Sequence, residues 1–212
     1  MSIPTQTPQE EKLNSLSHIA IGVMGIVALF FIVNKVVVNH IQNGLLSGII
    51  YGLSFITLFL ASGFYHLVKK EEIKKIFRVI DHCSIFILIA GTYTPLALSY
   101  IGGTEGWVLF TIQWAIAIVG ICLKIFYTGR FEIISVVFYL IMGWMIAYKV
   151  PEMYGDLSIT GFLSLVMGGV FYTFGIVFYL LDSKVKYFHF VWHIFVALGA
   201  ISHFVFIYFY VY

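Results

Sequence analysis

Two histidines with helical spacing open the last apolar stretch of this sequence. His189 and His193 are four residues apart, so on an α-helix their side chains lie on one face, about one turn apart. Two imidazoles at that separation can bind a single metal ion, as they do in the H-E-x-x-H motif. An isolated H-x-x-x-H pair is a weak motif, and other residues must complete such a site.

Further polar residues lie in other apolar stretches. Ser62 and His66 are also four residues apart, and Asp81 follows near the start of the next stretch. Three imidazoles with one open position form a common catalytic zinc site, in which the pKa of bound water falls toward ~7. The all-histidine set suits Zn²⁺, while Cu, Ni and Fe(II) stay open. Asp81 is then a candidate general base, water-holding group or ligand-orienting group, and Ser62 a candidate donor to the water or to an oxyanion.

The composition indicates the environment in which these residues work. Of the 212 residues, 61% are hydrophobic and only 10% are charged, against about 45–50% and about 25% in soluble domains. The soluble classes are therefore excluded. The net charge is only +2, and the sequence has no basic patch that would indicate nucleic-acid binding. The two cysteines lie in apolar runs, so the sequence contains no disulfide framework.

Seven stretches are long enough to cross a bilayer, which takes about 20 apolar residues per helix. They are too long and continuous for the strands of a membrane β-barrel. We therefore predict an all-α, seven-helix transmembrane bundle over residues 17–212, preceded by a polar cytoplasmic segment over residues 1–16 that lacks the basic region of a signal peptide. The predicted spans are approximately 17–38, 45–68, 78–100, 106–127, 131–150, 159–181 and 188–211.

The distribution of basic residues predicts the orientation of the bundle. Of the 12 Lys and Arg residues, only Lys35 and Lys149 fall on the side opposite the N-terminus. Basic residues are enriched in cytoplasmic loops, so we predict a cytoplasmic N-terminus and an external C-terminus. The second helix then ends, and the third and seventh helices begin, at the cytoplasmic face. His66, Asp81, His189 and His193 are thereby predicted to converge in one leaflet.

The remaining polar residues are weaker candidates. Asn14, Ser15 and His18 either cover the cytoplasmic mouth of the site or merely cap the first helix. His82 lies about 100° around the helix from Asp81 and is predicted to be structural. His203 lies about 15 Å along the helix from the paired histidines, too far to share their metal.

The combined motifs resemble those of the haemolysin III proteins, the bacterial branch of the progestin-and-adipoQ-receptor family. The residues that carry the resemblance are Glu11-x-x-Asn14-Ser15-x-x-His18, Ser62-x-x-x-His66, Asp81 and His189-x-x-x-His193, across seven spans. The resemblance, which extends to the alkaline ceramidases, implies a location in the plasma membrane of a bacterium and a zinc ion held in the cytoplasmic leaflet by three histidines. Carried over here, these are His66, His189 and His193, with Asp81 and Ser62 near a zinc-bound water.

Three functions follow as hypotheses, with membrane lipids as the expected partners. The first is a zinc-dependent hydrolase of lipid amide or ester bonds; the resemblance implies the amide hydrolysis that is proposed for the wider superfamily. The second is a non-catalytic, zinc-stabilised lipid sensor or regulator of membrane homeostasis. The third is a cytolytic pore, which ranks last because the outer helix halves offer few polar groups.

A retinal protein is excluded because residues 188–212 contain no lysine. The predicted orientation excludes a G-protein-coupled receptor.

Overall fold

The computed structural model describes residues 6–212, so residues 1–5 of the predicted N-terminal segment lie outside the described residues. The described residues form helices and no β-strand, which confirms the predicted all-α fold. Seven helical segments are long and apolar enough to cross a membrane, as predicted. The chain is a multi-pass membrane protein.

Eight α-helices and three other helical turns make up these spans. The helices are α1 (Pro8–Val38), α2 (Gly44–Leu67), α3 (Glu71–Pro95), α4 (Gly103–Tyr127), α5 (Glu132–Gly143), α6 (Val150–Asp156), α7 (Ile159–Leu181) and α8 (Phe188–Phe206). The fifth span is formed by α5, a 3₁₀ turn at Met145–Lys149 and α6, while α3 and α8 continue as π-helical turns at Leu96–Ile101 and Ile207–Val211. We call the side of the bundle where α1 begins the N-terminal side.

Two helices begin earlier than the apolar stretches from which they were predicted. Helix α1 begins at Pro8 and α3 at Glu71, before the predicted span starts at residues 17 and 78. Thr7 forms a capping box with Glu10, and Pro8 occupies the first turn, where its missing N–H costs no helical hydrogen bond. A helix continues outward to its cap, whereas hydropathy marks only the apolar part of it.

The fifth span is interrupted, although the sequence predicts one helix over residues 131–150. Helix α5 ends at Gly143, and the chain passes through the 3₁₀ turn before α6 begins, with Pro151 in the first turn of α6. Proline has no N–H to donate and fits the start of a helix better than its interior. The proline therefore accounts for the start of a new helix, α6, in the last part of the fifth span.

The packing order places α2 and α3 at the centre of the bundle. More than half of the central residues of these two spans are buried, against a third or fewer in the other spans. Helix α2 contacts both α1 and α3, and α8 contacts both α7 and α1. The first and last spans are therefore neighbours, and the N-terminal ends of α1 and α8 can meet the C-terminal end of α2.

The buried face of α2 is unusually polar. Its buried polar residues recur at helical spacing and point into the bundle, although the helix as a whole is apolar. This face brings two predicted site residues to the N-terminal side of the bundle, in the last two turns of the helix. The polar residues of the face are Ser47, Tyr51, Ser54, Ser62 and His66.

Candidate metal centre

Three of the predicted site residues meet at the N-terminal side. His66 lies in the last turn of α2, and His189 and His193 lie in the first two turns of α8. One ligand nitrogen from each residue lies within 4.8 Å of the others, and the three ring centroids are 4.8–5.1 Å apart. Zn–N bonds of about 2.1 Å set the nitrogens about 3.4 Å apart in a tetrahedral site. Rings at this separation reach that geometry with shifts on the order of 1 Å.

The hydrogen bonds of these rings leave one nitrogen of each ring free. Nδ1 of His66 lies 2.7 Å from Oε2 of Glu11, and Nδ1 of His189 lies 2.7 Å from Oδ2 of Asp182. Since an ionised carboxylate only accepts hydrogen bonds, each Nδ1 carries the hydrogen and each Nε2 has a free lone pair. Both Nε2 atoms are buried without a hydrogen-bond partner among residues 6–212, as is Nδ1 of His193.

This pattern of free nitrogens fits the donor set of a metal site. Buried polar atoms are normally hydrogen-bonded, so three unpartnered nitrogens in one cluster need an explanation. Metal-binding histidines commonly donate their other N–H to a carboxylate, which fixes the tautomer and the ring orientation. Glu11 and Asp182 are placed to do this for His66 and His189. The donor set present here therefore fits a metal ion that accepts imidazole ligands, as zinc does.

The two predicted catalytic residues lie next to this cluster. Ser62 is one turn before His66 on α2 and is only 2% exposed. Its hydroxyl is a hydrogen-bonding neighbour of the Asp81 carboxylate, which also lies near His189. Asp81 is therefore close enough to interact with one candidate ligand while being held by Ser62.

The predicted mouth residues are buried in α1 beside the cluster. The ring of His18 stacks on that of His193, with the centroids 3.7 Å apart. Asn14 is completely buried and donates to Gln6, and Ser15 is 3% exposed. Because Thr7 is the cap of α1, none of these residues caps the helix. Their covering role remains a prediction.

Sequence reasoning assigned no role to the carboxylates that hold the rings. Glu11 belongs to the quoted motif, and it also lies 2.5 Å from the ammonium of Lys74. Asp182 follows α7 in a short connection that precedes α8. The available signal was an acidic residue seven positions before His189. The chain turns between the two helices, with a positive φ of 64° at Tyr187, and Asp182 contacts the His189 ring.

A second polar cluster lies close to the first. The Glu132 carboxylate is 2.6 Å from the ammonium of Lys124, and it also accepts a hydrogen bond from the hydroxyl of Tyr179. His82, the neighbour of Asp81 in the chain, lies 3.7 Å from the same carboxylate oxygen. This cluster connects α3, α4, α5 and α7. Its position agrees with the structural role predicted for His82.

His203 lies apart from these clusters, as its position in the sequence predicts. It is ten residues further along α8 than His193, and its Nε2 lies 3.2 Å from the carbonyl oxygen of Leu165 in α7. It is not among the three histidines that could share a metal ion. Its remaining nitrogen, Nδ1, is buried and has no hydrogen-bond partner in the described part of the chain.

Comparison with known proteins gives the same assignment as the motifs. The "Haemolysin-III related" family model matches residues 6–204. The chain is 36% identical to Hemolysin-3 of Bacillus cereus over 211 residues, which cover 100% of this chain and 96% of that protein. It is 38% identical to the Hemolysin-3 homolog of Bacillus subtilis over 205 residues, covering 96% and 95%.

A more distant similarity extends to animal proteins. The chain is 31% identical to the human monocyte to macrophage differentiation factor over 169 residues, which cover 77% of this chain and 69% of that protein. No solved structure matches the chain. The family model covers nearly the whole chain, including all three clustered histidines, so the protein belongs to the haemolysin III-related family.

Proposed function

We propose that this protein is a zinc-dependent hydrolase that cleaves amide or ester bonds of membrane lipids. The observation that carries the proposal is the convergence of three buried, unpartnered imidazole nitrogens from His66, His189 and His193. A zinc ion bound there supplies a Lewis acid and lowers the pKa of a bound water molecule. The cluster lies at one end of the spanning helices, where we expect a lipid headgroup to meet its acyl chain.

The residues around the histidines have distinct roles in this proposal. Asp81 accepts a proton from the attacking water and returns it to the leaving group. Ser62 holds the Asp81 carboxylate and, when its hydroxyl turns away, donates to the carbonyl oxygen of the lipid. Glu11 and Asp182 keep the ligand nitrogens of His66 and His189 pointed into the cluster.

Metal content is the most direct test of the proposal. We expect purified protein to contain about one zinc ion per chain by inductively coupled plasma mass spectrometry, and His189→Ala to contain much less. His40→Ala provides a matched control, because His40 lies in the connection between α1 and α2 on the opposite side. Unsubstituted protein without stoichiometric metal contradicts both the hydrolase and any zinc-stabilised sensor.

Lipid hydrolysis tests the reaction itself. Zinc-loaded protein in nanodiscs is given ceramides and diacyl phospholipids, and released fatty acid is measured with and without a chelator. We expect product that depends on the metal. The absence of metal-dependent product from any of these lipids contradicts the hydrolase.

A non-catalytic zinc protein is the second candidate, and the position of Asp81 beside His189 favours it. If that carboxylate is a fourth ligand, the site is closed and has no position for water. Asp81→Asn separates the two functions. For the hydrolase we expect zinc to be retained and hydrolysis to fall by about 10²-fold or more, the usual contribution of a general base. Loss of zinc from Asp81→Asn indicates the closed site instead.

A further inference from the structure

Of the three clustered histidines, His193 alone has no carboxylate partner among residues 6–212. Nδ1 of His66 and Nδ1 of His189 each lie 2.7 Å from a carboxylate oxygen. Nδ1 of His193 is buried and has no hydrogen-bond partner in this part of the chain. An imidazole that binds a metal is normally held in its orientation by a neighbouring group. Some other contact must therefore orient His193.

The ring of His18 in α1 makes the closest ring contact with His193. The two rings are stacked, with their centroids 3.7 Å apart and an interplanar angle of 13°. The ring of Phe59 meets His18 at 75°, with the centroids 4.9 Å apart. His18 is only 2% exposed, and neither of its nitrogens has a hydrogen-bond partner among the described residues. His18 therefore acts on its neighbours through the packing of its ring.

Close packing of α1 on α2 fixes the position of His18. A Cβ at Gly63 of α2 would lie 2.5 Å from Cγ1 of Ile19 and 3.3 Å from the backbone oxygen of Ser15. Glycine at this position lets the two helices approach closely on both sides of His18 in the chain. The imidazole is thus presented to His193 from a closely packed helix.

We propose that His18 is the positioning residue for His193. Its stacked ring fixes the plane of the His193 imidazole and so aims Nδ1 into the cluster. This inference rests on the proposed metal site, and it gives His18 a role other than covering that site. The residue acts through His193 and does not itself bind the metal.

The geometry of the stack agrees with a metal-binding partner. Two neutral aromatic rings prefer an offset or edge-to-face arrangement, whereas a centroid distance of 3.7 Å between His18 and His193 leaves little offset. When Nδ1 of His193 binds a cation, the ring gains positive character, which the π face of the His18 ring attracts. We therefore expect the stack to stabilise the metal-bound form.

Two substitutions separate ring stacking from the filling of space. His18→Phe keeps a ring that can stack, and His18→Leu fills the site without one. We expect His18→Phe to bind zinc within about two-fold of the unsubstituted protein, and His18→Leu to bind about three- to ten-fold more weakly, the value of one aromatic pair. Competition with a chelating dye in nanodiscs gives the affinities. Phe204→Leu removes a ring from the stacked pair that Phe204 forms with Tyr208, and it should leave zinc affinity unchanged.

Cobalt(II) provides a readout that a merely structural role would not change. The visible absorption of bound cobalt depends on the arrangement of its ligands. We expect the spectrum to change in His18→Leu and to be retained in His18→Phe and Phe204→Leu. Equal zinc affinities and identical cobalt spectra in His18→Leu and His18→Phe overturn the inference.

A measurement on metal-free protein distinguishes this inference from the proposed function. With isotope-labelled histidine, the ring C–H signals of His193 are assigned by their absence from His193→Gln. We expect the ring current of His18 to shift these proton signals upfield in the unsubstituted protein. The NMR order parameter of the His193 ring should fall in His18→Leu and be retained in His18→Phe. These results in a protein that binds no metal confirm that His18 orients His193 and contradict the hydrolase. Unshifted His193 signals in the unsubstituted protein overturn the inference.

Discussion

At the scale of single residues, two carboxylates govern the candidate metal ligands. Glu11 and Asp182 each accept from Nδ1 of a histidine whose Nε2 is free. We expect Glu11→Gln and Asp182→Asn each to weaken zinc binding by about 10- to 100-fold, the usual cost of losing such a partner. Competition with a chromogenic chelator measures the affinity.

The contact between Glu11 and Lys74 requires a separate control. Glu11→Gln also breaks the ion pair with Lys74, whose side chain is only 12% exposed. Lys74→Met removes that ion pair but leaves the Glu11 carboxylate in contact with His66. It should therefore lower zinc affinity much less than Glu11→Gln. Glu72→Gln, at an exposed position, should have no effect. Unchanged affinity in Glu11→Gln and Asp182→Asn contradicts the orienting role.

The sequence predicts the three clustered histidines but not the residues that hold them. His189 and His193 are paired by helical spacing alone, and the alternation of spans brings His66 to the same end of the bundle. The position of Asp182 depends on the path of a short connection, which has no periodicity to interpret. Glu11 lies in the polar stretch before the apolar part of α1. Hydropathy there does not indicate whether a residue is buried in the bundle.

At the scale of helices, the buried ion pair between Lys124 and Glu132 joins α4 to α5. Lys124 is 1% exposed and Glu132 is 29% exposed in their side chains. Lys124→Met leaves the carboxylate without its cation, and we expect a loss of about 2 kcal/mol in the free energy of unfolding, below the values for fully buried pairs because Glu132 is partly solvated. Denaturant unfolding in detergent measures the change.

A second pair serves as the comparison for this measurement. Lys149 pairs with Glu152, whose side chain is 62% exposed, so Glu152→Gln should change stability by less than about 0.5 kcal/mol. The double variant Lys124→Met with Glu132→Leu should be more stable than Lys124→Met, since no unpaired charge remains. Equal losses in Lys124→Met and Glu152→Gln contradict a stabilising role for the buried pair.

Helix boundaries show where sequence patterns carry less information. The number and order of the spans follow from hydropathy, and the structure has all seven. The start of α1 at Pro8 depends instead on a capping box, and the interruption of the fifth span involves a 3₁₀ turn followed by Pro151. Both features depend on local hydrogen bonding, which the apolar content of a segment does not predict.

At the scale of the whole molecule, the predicted orientation has a direct test. Ser158 is exposed in the connection before α7, and Lys184 is exposed in the connection before α8, on the opposite side of the bundle. In a background of Cys83→Ser and Cys122→Ser, we expect Ser158→Cys to react with a membrane-impermeant maleimide in intact cells. Lys184→Cys should react only after the cells are permeabilised. The reverse pattern contradicts a cytoplasmic N-terminus.

The centre of the bundle also bears on the hypothesis of a pore. Phe55, Leu58 and Phe59 are at most 7% exposed and lie between the polar residues at the two ends of α2. Together with neighbouring residues they form one apolar core. A conducting path needs polar or hydrated surface through this region, so the packing favours a site at one end of the bundle over a pore.

The contact between the first and last helices has a consequence for biosynthesis. Glu11 emerges early from the ribosome and His66 soon afterwards, but His193 is translated only when most of the chain has already been inserted. A nascent or truncated polypeptide therefore lacks a complete set of imidazoles. For the metal site we propose, acquisition of an ion would then await the end of translation, and chains that stop before α8 would not compete for scarce metal in the cell.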